Sequence, residues 1–321
     1  MKFSIERIHE IASKISQKKW GLLKQRSPIR EFNAYPNVLC VFQTFNKSHL
    51  IRLVLNPFIK KGFKNIMLFA DGCIDSTLTK AHSILKGKNH TVIAVNDLHE
   101  IKNYRFALNS EAAKNCEFAL LMQDDDLYPM DFSWLDYGLE MMRRDPKLIV
   151  IGFNKAINYI QMRSANETFE SDTFAMRDGL VGMPNSWFGR IVTTPINDGP
   201  FQYCQTVTRA PHLIRISSFN ELTGFDFSFE PYHDDDTNYC FELWAKGFRV
   251  GYIGGVPIAR DIGVGGMRLS ESLMINKRPI HLKRNHNILF ERYGDFINSG
   301  ALDELVEDAN ERLLEDSPSG K

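Results

Sequence analysis

Between residues 38 and 153, five short apolar runs alternate with four stretches of helical spacing. The runs occupy 38–42, 66–70, 91–95, 118–122 and 148–153. Helical spacing fills roughly 48–61, 76–86, 104–115 and 132–144 between them, with Pro57 expected to bend the first helix. An apolar run of five or six residues fits a strand buried on both faces and is too short for a buried helix. Strands of this length alternating with helices give βαβ units, and so an α/β fold with a mostly parallel, twisted sheet flanked by helices. Such sheets bind ligands beyond the carboxyl ends of their strands. Here those ends carry Gln43-Thr44-Phe45-Asn46, Asp71-Gly72 and Gln123-Asp124-Asp125-Asp126, all polar or acidic.

After residue 153 the alternation stops. Residues 154–200 are mixed and punctuated by Gly and Pro, which reads as a long insertion or loops over the sheet edge. A short helix is expected over 211–219, a firmer one over 235–246, and a strand over 248–253. Residues 254–280 read as loop, with Gly263-Val264-Gly265-Gly266 inside them, and 301–315 as a closing acidic helix.

Composition excludes several classes of function. Lys+Arg and Asp+Glu both number 39, so the global charge draws the chain to neither nucleic acid nor membrane. The five cysteines lie far apart with no CxxC or Cys/His spacing, which points to buried free thiols in a reducing compartment. No apolar run approaches the roughly 20 residues of a membrane span, and no signal peptide is visible, so the cytoplasm is expected. Residues 1–26 repeat Ile5, Ile8, Ile11, Ala12 and Ile15 at helical spacing among Lys14, Lys18, Lys19, Lys24 and Arg26. That pattern suits a basic amphipathic helix on the inner membrane face, or a helix packed on its own domain or a second subunit.

Two runs of three aspartates carry the chemistry. Asp124-Asp125-Asp126 closes an apolar run, and Asp234-Asp235-Asp236 opens an amphipathic one. Adjacent carboxylates repel, more so when desolvated, and a fold that gathers them at the mouth of its core uses them for a cation or for proton transfer. Neither G-x-G-x-x-G nor G-x-x-x-x-G-K-[ST] occurs, so no glycine cradle holds phosphate. A divalent cation, Mg2+ or Mn2+, on one or two carboxylates is the natural substitute. The bland alternatives are a solvated acidic turn for the first run and ordinary helix capping for the second.

Four segments resemble the strand-end motifs of GT-A fold family 2 glycosyltransferases. They are residues 41–46, 69–75, 121–126, and Gly224-Phe225-Asp226 followed by Asp235-Asp236 and Leu243-Trp244-Ala245-Lys246-Gly247-Phe248-Arg249-Val250. The resemblance covers 36–255, with 36–150 as a nucleotide-sugar half and 151–255 as an acceptor half. Residues 1–30 then form an N-terminal helix, and 256–321 a C-terminal loop and helical extension.

The resemblance implies a metal-dependent, inverting transfer from a nucleotide-diphosphate sugar to a saccharide or lipid-linked saccharide. It implies nucleotide-sugar contacts at Thr44, Phe45, Asp71 and Asn109. The run 124–126 matches the family's DxD motif, with metal at Asp125 and Asp126 and a sugar or ribose contact left to Asp124. Gln123 stands where the family often has an aspartate. Asp235-Asp236 match the pair that carries the catalytic base, which falls on Asp236. The family's metal-site histidine has no counterpart in 257–263, where Asp261 substitutes. The two runs are then expected to face one cleft. Two rival readings remain from the residues: a sugar-phosphate nucleotidyltransferase and a non-catalytic cation- or partner-binding scaffold. The first wants a glycine- and Lys/Arg-rich loop after the first strand, unlike Gln43-Thr44-Phe45-Asn46-Lys47.

Overall fold

A computed structural model describes residues 35–86, 90–163, 175–177, 180–183, 187–192, 200–222, 224–231, 233–259 and 272–315. The first part of the chain runs β1 (Val38–Thr44), α1 (Ile51–Lys61), β2 (Asn65–Asp71), α2 (Thr77–Leu85), β3 (Thr91–Val95), α3 (His99–Leu108), α4 (Glu111–Lys114), β4 (Phe118–Met122), α5 (Ser133–Arg144) and β5 (Leu148–Gly152). It continues through β6 (Lys155–Met162), β7 (Ala175–Arg177), β8 (Leu180–Met183), β9 (Trp187–Ile191), β10 (Phe201–Tyr203), β11 (Thr206–Thr208) and β12 (His212–Arg215). Then come α6 (Ile216–Glu221), α7 (Asp235–Ala245), β13 (Arg249–Ile253), α8 (Ser272–Asn298) and α9 (Ala301–Glu315). The chain divides into two compact units: 1–146 with 210–223 and 255–268, and 147–209 with 224–254 and 269–321.

In the first unit the strand order is β12-β4-β1-β2-β3. β4, β1, β2 and β3 are parallel, and β12 runs antiparallel to β4. β4 is buried along its whole length and β1 nearly so, as their continuous apolar sequence requires. An aromatic cluster of Tyr35, Phe58, Phe63, Phe132 and Tyr128 packs against this sheet with ring centroids 4.5–6.1 Å apart. Burying each such ring stabilises the unit by about 2–3 kcal/mol. Because Tyr128 belongs to the cluster, it anchors the turn that carries Asp124–Asp126.

Two helix boundaries in this unit differ from the sequence expectation. The helix expected near 104–115 is α3, which starts at His99, and a separate α4. Asp71 receives the Leu98 and His99 backbone N–H groups and so starts α3 early. The Ser110 side chain caps α4 by accepting from the Ala113 N–H, which divides the two. The helix expected at 211–219 is instead β12 followed by the short α6, because Leu213 and Ile214 pair with β4.

In the second unit β5 and β13 are parallel and β10 joins β13 antiparallel. A five-stranded sheet, β11-β6-β9-β8-β7, forms from strands within 154–200, read as insertion or loops, together with β11 beyond them. Side-chain amides close backbone accounts on a strand of each of these two groups, β6 and β10. Asn298 of α8 exchanges two hydrogen bonds of 2.9 Å with the Met162 backbone, and Asn310 of α9 does the same for Tyr203 at 2.9 and 3.0 Å. Each amide acts as one residue of a missing neighbouring strand, so the strand edge is not left unsatisfied. All five cysteines are unpaired thiols, with Cys40, Cys204 and Cys240 buried.

Candidate active site

The carboxyl edge of the first unit's sheet brings Thr44, Phe45, Asp71 and the run Asp124–Asp126 onto adjacent strand ends. The Phe45 N–H donates to Asp124 Oδ2 at 2.8 Å and ties the end of β1 to that of β4. Burial pushes the Asp124 carboxyl up to about 7; the Phe45 N–H, the Thr44 hydroxyl and the Lys47 ammonium pull it down, and Asp125 pushes it further up. Asp125 and Asp126 are also buried, and the Tyr128 hydroxyl lies 3.4 Å from Asp126 Oδ2. Gln123, which departs from the family pattern, donates through Nε2 to Glu100 Oε1 at 3.0 Å. Leu127 pairs with Ala259 through both backbone hydrogen bonds, 2.7 and 3.1 Å.

Asp71 is fully buried and its carboxylate is engaged. It accepts from the Leu98 and His99 N–H groups at 2.7 and 2.9 Å and from Gln43 Nε2 at 3.4 Å. These donors form the positive end of α3, where an anion is favoured. They also hold Asp97 and His99 in left-handed conformations, φ 54 and 64. Gly72 follows at φ 66, which suits glycine. The loops after β1 and β2 are cross-latched: Asn46 Oδ1 accepts from Ile74 and Asp75, and Asp75 Oδ2 accepts from Ser48 N–H.

Asn109 stands apart from these residues. It caps the carboxyl end of α3, exposed, with its amide turned back to Arg105 O at 2.8 Å. Since α3 leaves the binding edge after β3, that end belongs to the opposite edge of the sheet. Asn103, one turn into α3, was missed by sequence reasoning. It is buried, and among the described residues neither its Nδ2 nor its Oδ1 has a hydrogen-bond partner. The Gln43 Oε1 is likewise unsatisfied. The only signal was an asparagine on the apolar stripe with Ala107.

The second unit holds the other run, at the start of α7. Asp235 is buried and pairs with the Arg209 guanidinium at 2.5 and 3.2 Å, while the same guanidinium lies 5.1 Å from the Phe225 ring centroid. Asp236 accepts the Arg209 N–H at 3.0 Å and the Thr237 N–H at 2.9 Å. Asp234 stands in a left-handed conformation, φ 67, and burial followed by the nearby Asp236 and Asp235 carboxylates pushes its own carboxyl up to about 8. Phe225 and Phe229 are core, leaving Phe227 outward at 45% exposure. Trp244 is core too, donating to Cys204 O. His286 is buried, pushed down to about 4 by burial, and bonded to Arg163 O. Asp261, Arg268 and Tyr232, the helix expected within 1–26, and the side chains of Trp187, Lys277 and Arg278 lie outside the described residues.

No family model matches the sequence, and no curated protein matches it. Among solved structures, the crystal structure of GalNAc-T7 with UDP, GalNAc and Mn2+ is similar, with a TM-score of 0.55 and 12% identity. The match covers 88% of this chain and 57% of that chain, so this chain spans little more than half its length. The fold is of the GT-A type. At that identity the likeness is one of fold and does not reach family 2 in particular. No helix of the described GT-A chain is long and apolar enough to cross a membrane.

A GT-A fold raises the matter of a divalent cation. Among the described residues, no three His, Cys, Asp or Glu side chains converge to hold one. Asp125 and Asp126 do supply two neighbouring carboxylates at a strand end. Mg2+ commonly takes one or two carboxylates and completes its shell with substrate phosphates and water. This edge therefore suits an ion shared with a diphosphate and does not suit a cage made of protein alone.

Proposed function

We propose that the protein is a metal-dependent, inverting glycosyltransferase of family 2 type. It moves a sugar from a nucleotide-diphosphate sugar to a hydroxyl of a saccharide or lipid-linked saccharide, as in surface polysaccharide assembly. One observation carries the reading: a GT-A sheet edge gathers Thr44, Phe45, Asp71 and three buried aspartates on adjacent strand ends.

In this reading Thr44 and Phe45 contact the nucleotide, and Asp71 shapes the base and ribose wall by holding the 97–99 turn. Asp124, tied to Phe45, faces the ribose or sugar. Asp125 and Asp126, with Asp261, would hold the cation, which when bound sets positive charge against the leaving diphosphate. Asp236 takes the acceptor hydroxyl proton as that oxygen bonds to the anomeric carbon. The bond from that carbon to the diphosphate breaks, and its electron pair leaves on the phosphate oxygen. Two backbone N–H donors orient Asp236 for this task. Asp235, paired with Arg209, anchors the peptide that supplies one of them.

A thermal-shift panel of nucleoside diphosphates with and without Mn2+, followed by nucleoside diphosphate release from a panel of sugar nucleotides, tests the reading. The expected result is Mn2+-dependent stabilisation by one base class and acceptor-dependent release. Pyrophosphate release from a sugar phosphate and a nucleoside triphosphate would instead establish a nucleotidyltransferase. Absence of any nucleotide effect would leave the scaffold reading.

A further inference from the structure

We infer that α8 is a splint for the turn that presents Asp236, with Asn285 and Arg292 as its positioning residues. The inference deepens the proposed function and rests on it for the role of Asp236. The turn needs external support. His233 and Asp234 are consecutive non-glycine residues in the left-handed region, φ 70 and 67. Each such residue costs on the order of 1 kcal/mol or more and persists only where its surroundings impose it. Asp236 lies two residues further on, and its value as a base depends on where this turn leaves it.

The described contacts that impose the turn come largely from α8. Asn285 is buried, and its Nδ2 donates to two carbonyls of the loop, His233 O at 2.9 Å and Phe229 O at 3.2 Å. Its Oδ1 accepts from Arg284 Nη2 and Nε at 2.7 and 3.0 Å, which fixes the amide with its donors toward the loop. Arg284 also donates to Glu230 O. Two turns along, Arg292 donates to Asp226 Oδ2 at 2.7 Å and to Asn238 Oδ1 at 2.9 Å, and lies 5.5 Å from the Phe229 ring. Asn238 belongs to α7, and its N–H bonds to Asp234 O at 2.8 Å. The helix therefore grips the loop at its entry, its middle and the first turn of α7. Residues 272–298 are part of the site's scaffold by this account, although they lie outside the stretch that resembles the family.

The same helix supplies an internal control. Asn298 clamps Met162 with an amide in the same manner, but its partner is β6 and not the acidic turn. Asn285→Asp keeps the shape and removes the donors, and Asn298→Asp does so at the control position. Hydrogen exchange of residues 226–240, nucleoside diphosphate affinity with Mn2+ and steady-state kinetics are measured on the full chain. For Asn285→Asp the expected result is exchange at 229–236 faster by about tenfold or more. A kcat lower by roughly 10–100-fold accompanies it, since displacing a catalytic group by about 1 Å costs that much, with nucleotide affinity within about twofold. Asn298→Asp should keep its kcat. If Asn285→Asp does not fold, Arg292→Gln, at a partly exposed position, carries the same test with faster exchange at 226–238 and lower kcat. Wild-type exchange across the turn, or an unchanged kcat in a loosened turn, overturns the inference. A wild-type chain that transfers no sugar sinks the glycosyltransferase reading instead, and the exchange comparison still decides whether the splint exists.

Discussion

The two aspartate runs have the same composition and opposite physical settings. Asp124–Asp126 hangs from the end of a strand buried on all sides, and Asp234–Asp236 starts a helix. In the first, Asp124 is tied to a backbone N–H, whereas Asp125 makes no hydrogen bond among the described residues. In the second, Asp235 is neutralised by Arg209 and Asp236 is held by two backbone donors. In the proposed reading the first run takes a cation, because Asp125 has carboxylate capacity that the fold leaves unspent. The second run has its countercharge built in, so its remaining capacity suits a proton and not a metal. Which carboxylates the chain has already satisfied distinguishes the two better than the number of charges does.

Substituting one residue in each run probes that division. The largest expected effect is from Asp236→Asn, which should lower kcat by about 10²–10⁴-fold while Mn2+-dependent nucleotide binding is kept. A variant that turns over normally would remove Asp236 from the mechanism. Next comes Arg209→Met, which leaves Asp235 buried without its partner. Unfolding by urea should show a loss of about 3–5 kcal/mol, much of which the double variant Arg209→Met/Asp235→Leu recovers, because removing both charges removes the desolvation problem. If the single variant is as stable as wild type, the pair is not a structural anchor. Asp125→Ala should weaken Mn2+-dependent nucleoside diphosphate binding by about tenfold, near 1.4 kcal/mol, and leave metal-free binding alone. Equal affinity with and without the substitution would refute its assignment to the metal.

The same contrast explains what could be read from sequence. The parallel core and the first acidic run were legible because they are local: a strand buried on both faces must be a continuous apolar run, and its end must carry the binding edge. The parts that escaped depend on distant partners. α3 begins where Asp71 accepts its first N–H groups, 27 residues upstream for Leu98. Arg209 and Asp235 are 26 residues apart, so neither signals the other. β12 looked helical because Leu213 and Ile214 are followed directly by α6. The first turns of α8, 272–280, read as loop because Pro279 and the preceding glycines interrupt the pattern, yet the helix runs through that proline. Asn103 is conspicuous only once its burial is known.

The smallest effect concerns Asp234, which keeps some contact with solvent that screens its charge. Its carboxyl is pushed up to about 8 in the folded chain, from an ordinary value of 3.8. Between those two pH values the folded state retains a proton that the unfolded chain has released. Folding is then favoured at the acidic end, and stability falls as pH rises from about 4 to about 8, with no further loss above. Asp234→Asn carries no such proton, so the difference in urea midpoint between variant and wild type should grow across that window and level off beyond it. Asp236→Asn should narrow the window from above, since Asp236 is the first of the two carboxylates that raise Asp234 after burial itself. A wild-type stability that stays parallel to that of Asp234→Asn from pH 5 to pH 8 would mean that Asp234 is ionised throughout. The second run would then hold three charges, and the built-in neutrality that sets it apart from the first would fail.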